Sequence, residues 1–169
     1  MTIIQSLIPQ FEQEMSVTRN TLERIPDEKF LWKPHTKSMA LGSLVSHIAE
    51  IPSWSVPTIA QASLDLAPVG GPAYSTPQLT SRAQVLAAFD KNCTAALEIL
   101  PSVSDQTLME SWALLVSGKE VFKMPKIGVL RSFIISHTIH HRAQLGVYLR
   151  LNDISHPSMY GPSADEGLF

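Results

Sequence analysis

The sequence of 169 residues predicts an all-α fold, a four-helix bundle with a long crossover loop and a candidate short hairpin before the last helix. Three observations carry that prediction. Apolar residues recur at three- and four-residue spacing in about four long segments, proline and glycine cluster between those segments, and no second core pattern accompanies the first.

The first helix is expected over about residues 2–24, where Ile4, Leu7, Phe11, Met15, Thr18 and Leu22 form one stripe. Pro9 either kinks it or marks a frayed start. After a loop from Ile25 to Pro34, a second helix should begin near Ser38, a residue type favoured at caps, and weaken at Pro52 or Pro57. The stretch Leu66 to Pro77 is crowded with proline and glycine and reads as the crossover loop. Ser81 followed by Gln84 is a capping box opening a third helix with Leu86, Phe89, Cys93, Ala96 and Leu100 on its apolar face, closed by Pro101. Trp112 to Phe122 suggests two short strands turning at Ser117-Gly118, with an irregular loop as the alternative. The fourth helix begins after Pro125 and continues to about Leu151, before an irregular tail.

One domain over residues 1–169 fits this length. A net charge of -2 with acids and bases interspersed offers no basic stripe for nucleic acid and no polybasic patch for a membrane, so neither is an expected partner. The N-terminus lacks a basic start and no apolar run reaches the roughly 20 residues of a membrane span, which points to a cytoplasmic protein. Cys93 is the one cysteine and reads as a small core residue rather than a reactive thiol. A homodimer through one exposed bundle face is compatible with the pattern.

The functional signal lies in the last helix, where the stripe Ile127, Leu130, Ile134, His137, His141, Leu145, Tyr148 places two imidazoles at core positions. Burying an unpaired polar group costs on the order of 1–3 kcal/mol, so these rings call for hydrogen-bond partners or a shared ligand. His47 lies on an apolar face of the second helix with Leu44 and Ile51. If the two faces meet, His47, His137 and His141 can converge on one divalent ion and leave a coordination position open for water or substrate. Hydrogen-bonded core histidines are the alternative, and His140 competes with His141 as the third ligand.

Other candidates surround these three. Glu50, one turn after His47, is a candidate catalytic residue, either holding an imidazole or acting as general base; an exposed helix charge is the alternative. Gln144 is a candidate orienting residue or a plain surface glutamine. Arg142 either attracts a substrate carboxylate or pairs with a neighbouring acid. Trp54, Trp112 and Tyr148 either line an apolar pocket or simply pack. His35 and His156 have no visible partners.

Trp32-Lys-Pro34, Leu44-Val-Ser-His47-Ile-Ala-Glu50, the run His137-Thr-Ile-His-His-Arg-Ala-Gln-Leu-Gly-Val-Tyr-Leu-Arg150 and Tyr160-Gly-Pro-Ser-Ala-Asp-Glu166, in this order, resemble the DinB-like (DinB/YfiT) family over most of the chain. The resemblance implies a four-helix bundle with a three-histidine metal site that falls on His47, His137 and His141. The family motif usually reads His-His-Arg-Gly-Gln; Ala143 replaces the glycine here, a change expected to preserve close helix packing. Similar proteins include thiol-dependent transferases and isomerases in which a metal activates a low-molecular-weight thiol. The expectation is therefore a divalent-metal-dependent enzyme, holding zinc or nickel, that performs thiol-dependent transfer or metal-assisted hydrolysis on a small-molecule substrate. The competing expectation is a metal-binding stress-response or interaction protein without turnover.

Overall fold

The computed structural model describes residues 2–167. Helix α1 spans Ile3–Leu22 and opens on a complete capping box, in which the Thr2 hydroxyl accepts from the Gln5 amide while Gln5 Oε1 accepts from the Thr2 amide at 2.8 Å. It continues through Pro9 and buries Ile4, Leu7, Phe11, Met15 and Leu22.

Helix α2 spans Leu41–Glu50, so it starts later than the serine at position 38 suggests. Its N-cap, Ala40, makes no side-chain bond; instead the Leu41 and Gly42 amides donate to the Trp32 and Phe30 carbonyls, each at 2.8 Å. The preceding loop thus satisfies first-turn donors that a serine would otherwise have capped. A Cβ on Gly42 would sit 2.8 Å from the Phe30 ring, so the close approach of this loop requires glycine. At Pro52 the backbone tightens into a 3₁₀ turn, Ile51–Trp54, and a short α3 comes next at Ser55–Ala60.

Strand β1, Ser63–Asp65, pairs in parallel with β2, Ser111–Val116, which pairs antiparallel with β3, Lys119–Pro125. The expectation of an all-α four-helix bundle is therefore corrected: the architecture combines helices with a three-stranded mixed sheet ordered β1-β2-β3. Ser117 and Gly118, with φ of 52° and 75°, form the two-residue turn between β2 and β3. The hairpin leaves one edge of β2 unpaired, and the chain leaving α3 fills it. Asp65 fastens the join, its carboxylate accepting from the amides of Ala67 at 3.0 Å, Ser117 at 3.0 Å and Gly118 at 2.7 Å. These amides hold the Asp65 carboxyl below its ordinary pKa, Ala67 contributing most.

Helix α4, Arg82–Ile99, is capped by Ser81, whose hydroxyl accepts from the Gln84 amide at 3.3 Å. Gln84 reaches back to the Thr80 amide, one residue before the cap. A short α5, Asp105–Met109, precedes β2. The last helical segment comprises α6, Lys126–Val129, a π-helical stretch, Leu130–Ser136, and α7, His137–Arg150. Helices α1 and α2 each pack against both α4 and α7 around a core that includes Leu7, Phe11, Leu44, Ile48, Phe89 and Leu145.

Arg142, fully buried, ties α7 to α1. Its guanidinium pairs with Glu14 at 2.7 Å and donates to the Glu14 carbonyl and the Thr18 hydroxyl at 3.0 and 3.2 Å. Tyr160 hydrogen-bonds both partners, donating to Glu14 at 2.6 Å and accepting from Arg142, so the tail segment 160–166 is knitted to the helices. The Glu166 carboxylate accepts from Arg24 and from the Ser158 amide, and Asp165 accepts from Arg150 and the His156 amide. Arg142→Ala strands the buried Glu14 carboxylate, and is expected to lower stability by about 3–5 kcal/mol. Urea denaturation of the variant checks this, against a small change for Arg150→Ala on the exposed flank.

Candidate metal centre

Helices α2 and α7 present the three predicted imidazoles to one another. His137 Nε2 lies 2.8 Å from His141 Nε2 and 3.4 Å from His47 Nε2, and one ring nitrogen from each of the three lies within 4.8 Å of the others. Donors about 2.0–2.1 Å from a tetrahedral ion stand roughly 3.4 Å apart, so the cluster is close to the spacing an ion needs. All three rings are partly buried. Desolvation, followed by the repulsion that charged neighbours His141 and His137 would exert, lowers His47 from its ordinary 6.5 to about 4. Burial also lowers His137 and His141. At neutral pH the cluster therefore offers uncharged imidazoles, the form that binds metal.

Gln144 sets the tautomer of one of them. Its Oε1 lies 2.8 Å from His141 Nδ1, which must donate, leaving the Nε2 lone pair aimed at the cluster. The Gln144 amide donates to His140 Nε2 at 3.0 Å. His140 is exposed and takes this second role rather than joining the cluster, so the geometry favours His141 over His140. Trp54 braces the arrangement from the side, its ring centroid 5.6 Å from that of His47 and 5.5 Å from that of His137. The buried Nδ1 of His137 makes no well-formed hydrogen bond; the Phe133 carbonyl, one turn earlier, acts on it and partly offsets the effect of burial.

The cluster borders a cavity of about 290 Å³ lined by His47 and His137 and by aromatic and aliphatic side chains. Trp54 and Trp112 line it, in agreement with the pocket reading of the sequence; Tyr148 does not, packing edge-on against Trp32 and donating to the Met39 carbonyl at 3.1 Å. Glu50 makes no hydrogen bond to an imidazole. It borders a smaller cavity between α2 and α4 and interacts with the Tyr74 hydroxyl, raising that group's pKa in addition to the larger effect of burial. Arg142 points into the core and not the cavity. Ala143 is exposed, so this position does not carry the helix packing expected of it. Gly146 is the close-packed position, against the tail and not a helix: a Cβ there would meet the His156 ring at 2.4 Å.

Sequence reasoning missed most of the lining, including Leu64, Leu114, Phe122 and Phe133. Alternation in 112–124 signals the strands, but the identity of their inner face depends on where β1 joins. Cys93 packs against the core and its thiol is pushed up to about 12 by burial, which removes it as a nucleophile.

The fold and the cluster define a protein of helices and a three-stranded mixed sheet, with a three-histidine centre beside an apolar cavity. The sequence model of the DinB family matches residues 4–167, and the chain belongs to that family. It is 27% identical to the uncharacterized protein YrdA of Bacillus subtilis (strain 168), over 96% of this chain and 91% of that one. A DinB-like protein of Bacillus cereus ATCC 10987 has the same fold, with a TM-score of 0.70 and 24% identity over 94% of this chain and 98% of its own. A second, the DinB-like protein YjoA of Bacillus subtilis, has a TM-score of 0.65 and 17% identity over 97% and 99% of the two chains. Among the described residues no helix is long and apolar enough to cross a membrane.

The depressed His47 pKa predicts the acid behaviour of the metal-free protein. Below about 6.5 the unfolded chain protonates this ring while the folded protein resists until about 4, so stability falls as pH drops through that window. Urea midpoints at pH 7.5, 5.5 and 4.5 should decline more steeply for the natural protein than for His47→Asn; equal slopes contradict the assignment.

Proposed function

We propose that this protein is a divalent-metal-dependent enzyme acting on a small molecule, with thiol-dependent transfer as its reaction class. The convergence of three uncharged imidazoles beside an apolar cavity carries this reading. His47, His137 and His141 would hold the ion, and zinc and nickel suit an imidazole set that also meets sulfur. When bound, such an ion acts as a Lewis acid and lowers the pKa of a coordinated thiol or water toward neutrality.

The remaining work falls to the chain's own groups. Gln144 holds the His141 tautomer, and Trp54 fixes the His47 and His137 rings from one side. The aromatic and aliphatic lining excludes water from the reacting group, which favours a thiol nucleophile over water. Hydrolysis ranks second on the same ground: activating water draws on a general base, and the cavity's polar side chains besides the imidazoles and the two indoles are the hydroxyls of Thr58 and Tyr74. Glu50 acts in this reading as a positioning residue, through Tyr74, whose hydroxyl accepts from Trp54 Nε1 at 3.0 Å.

Protein stripped of metal and reloaded with zinc or nickel is expected to consume a low-molecular-weight thiol in the presence of an electrophile. His141→Ala should lose metal and turnover together. Gln144→Ala should retain the fold and bind metal about 10–100-fold more weakly, as measured by competition with a chromogenic chelator. Glu50→Gln should keep its full metal content. If metal-loaded protein turns over neither thiols with electrophiles nor hydrolysable esters, the catalytic reading fails and metal binding without turnover takes its place.

A further inference from the structure

We infer that the cavity beside the three imidazoles selects an uncharged, ring-bearing molecule, either one substituted ring or two fused rings. The inference deepens the functional reading above and rests on it for calling that molecule a substrate; binding of the ring itself needs no metal.

Size sets the first limit. At about 290 Å³ the cavity has nearly twice the volume of the roughly 150 Å³ apolar cavity that takes up benzene. The walls set the shape. Leu64, Leu114 and Phe122 are register partners across β1, β2 and β3, so the three strands present one apolar row to the cavity. Trp112, two residues before Leu114, shares that face of β2. Phe133 stacks on Phe122 with centroids 4.4 Å apart and planes 12° from parallel, so it continues the wall that the row begins. Flat aromatic surfaces of this kind complement a flat ligand through stacked and edge-on contacts.

Charge sets the second limit, because among the described residues no aspartate, glutamate, lysine or arginine side chain lines the cavity. Lys126 Nζ donates to the Ile59 carbonyl at 2.9 Å and to Glu110 at 3.1 Å, and Arg142 is held by Glu14. Glu50 borders the smaller cavity between α2 and α4 and meets the large one only through the Tyr74 hydroxyl. In the metal-free protein an ion entering the large cavity would surrender its hydration without gaining a counter-charge, whereas a neutral ring surrenders little. Tyr74, 40% exposed, marks a solvent side of the cavity, and Trp54, which donates to its hydroxyl, links it to the imidazoles.

Calorimetric titration at pH 7.5 of metal-stripped and zinc-loaded protein with 2-acetylnaphthalene, 2-naphthoate and 2-naphthylmethylammonium tests the inference. On stripped protein the ketone should bind at 1:1 stoichiometry, at least about tenfold more tightly than either ion of the same shape. Leu114→Trp, which fills the cavity from β2, should weaken ketone binding by at least about tenfold with zinc stoichiometry unchanged. Leu64→Phe provides a smaller filling change if the tryptophan variant loses its circular dichroism. Equal or tighter binding of either ion to stripped protein overturns the inference, as does absence of ketone binding, or ketone binding indifferent to both folded variants. Ketone binding without zinc binding would sink the metal-enzyme reading and leave the cavity assignment standing; zinc binding without ketone binding would do the reverse.

Discussion

Withdrawal of three imidazoles from water is the constraint around which this structure is organised. Each ring lies on a face that would ordinarily be filled by leucine or isoleucine, and none has a carboxylate partner to stabilise its charged form. Desolvation therefore keeps the rings neutral, and their lone pairs are left to one another or to a shared cation. Fixing them requires that α2 and α7 meet at a set distance. The buried Arg142–Glu14 pair and the tail closed over it hold α7 in place against α1, away from the cavity lining. The arginine beside the histidines thus contributes to the centre through helix position and not through contact with a ligand.

The sheet gives that centre an enclosed side. Without β1–β3, His47 and His137 would open on solvent between two helices; with them, the rings border an apolar chamber. Asp65 is the residue on which this depends, since it joins the strand leaving α3 to the turn of a hairpin more than fifty positions later. The bonds it makes are to backbone amides, so the chamber wall is secured without placing a charge inside it.

Much of this is legible in the residues and some is not. Three- and four-residue periodicity locates the long helices, and the histidines on their apolar faces point to the cluster, because the burial of an imidazole has a recognisable spacing. The fold class is not legible: Ser63–Asp65 is only three residues long, and its pairing depends on an edge created far along the chain. The start of α2 departs from the serine preference because backbone carbonyls of Phe30 and Trp32, invisible to side-chain patterns, cap it. Arg142 and Gln144 each admit two readings, and the choice between them lies in contacts with Glu14, His140 and His141 that only packing determines.

The π-helical stretch Leu130–Ser136 has an evolutionary consequence. Its hydrogen bonds span five residues where an α-helix spans four, so the wider turn absorbs an additional residue between α6 and α7. Phe133 inside the stretch and His137 just beyond it both line the chamber, four residues apart as on any helical face. Removing a single residue from the stretch would restore ordinary winding and leave the histidines facing nearly the same way, because the lost residue and the tighter turns offset one another. The length of this segment can therefore drift by one residue over time while the direction in which α7 presents its imidazoles is kept.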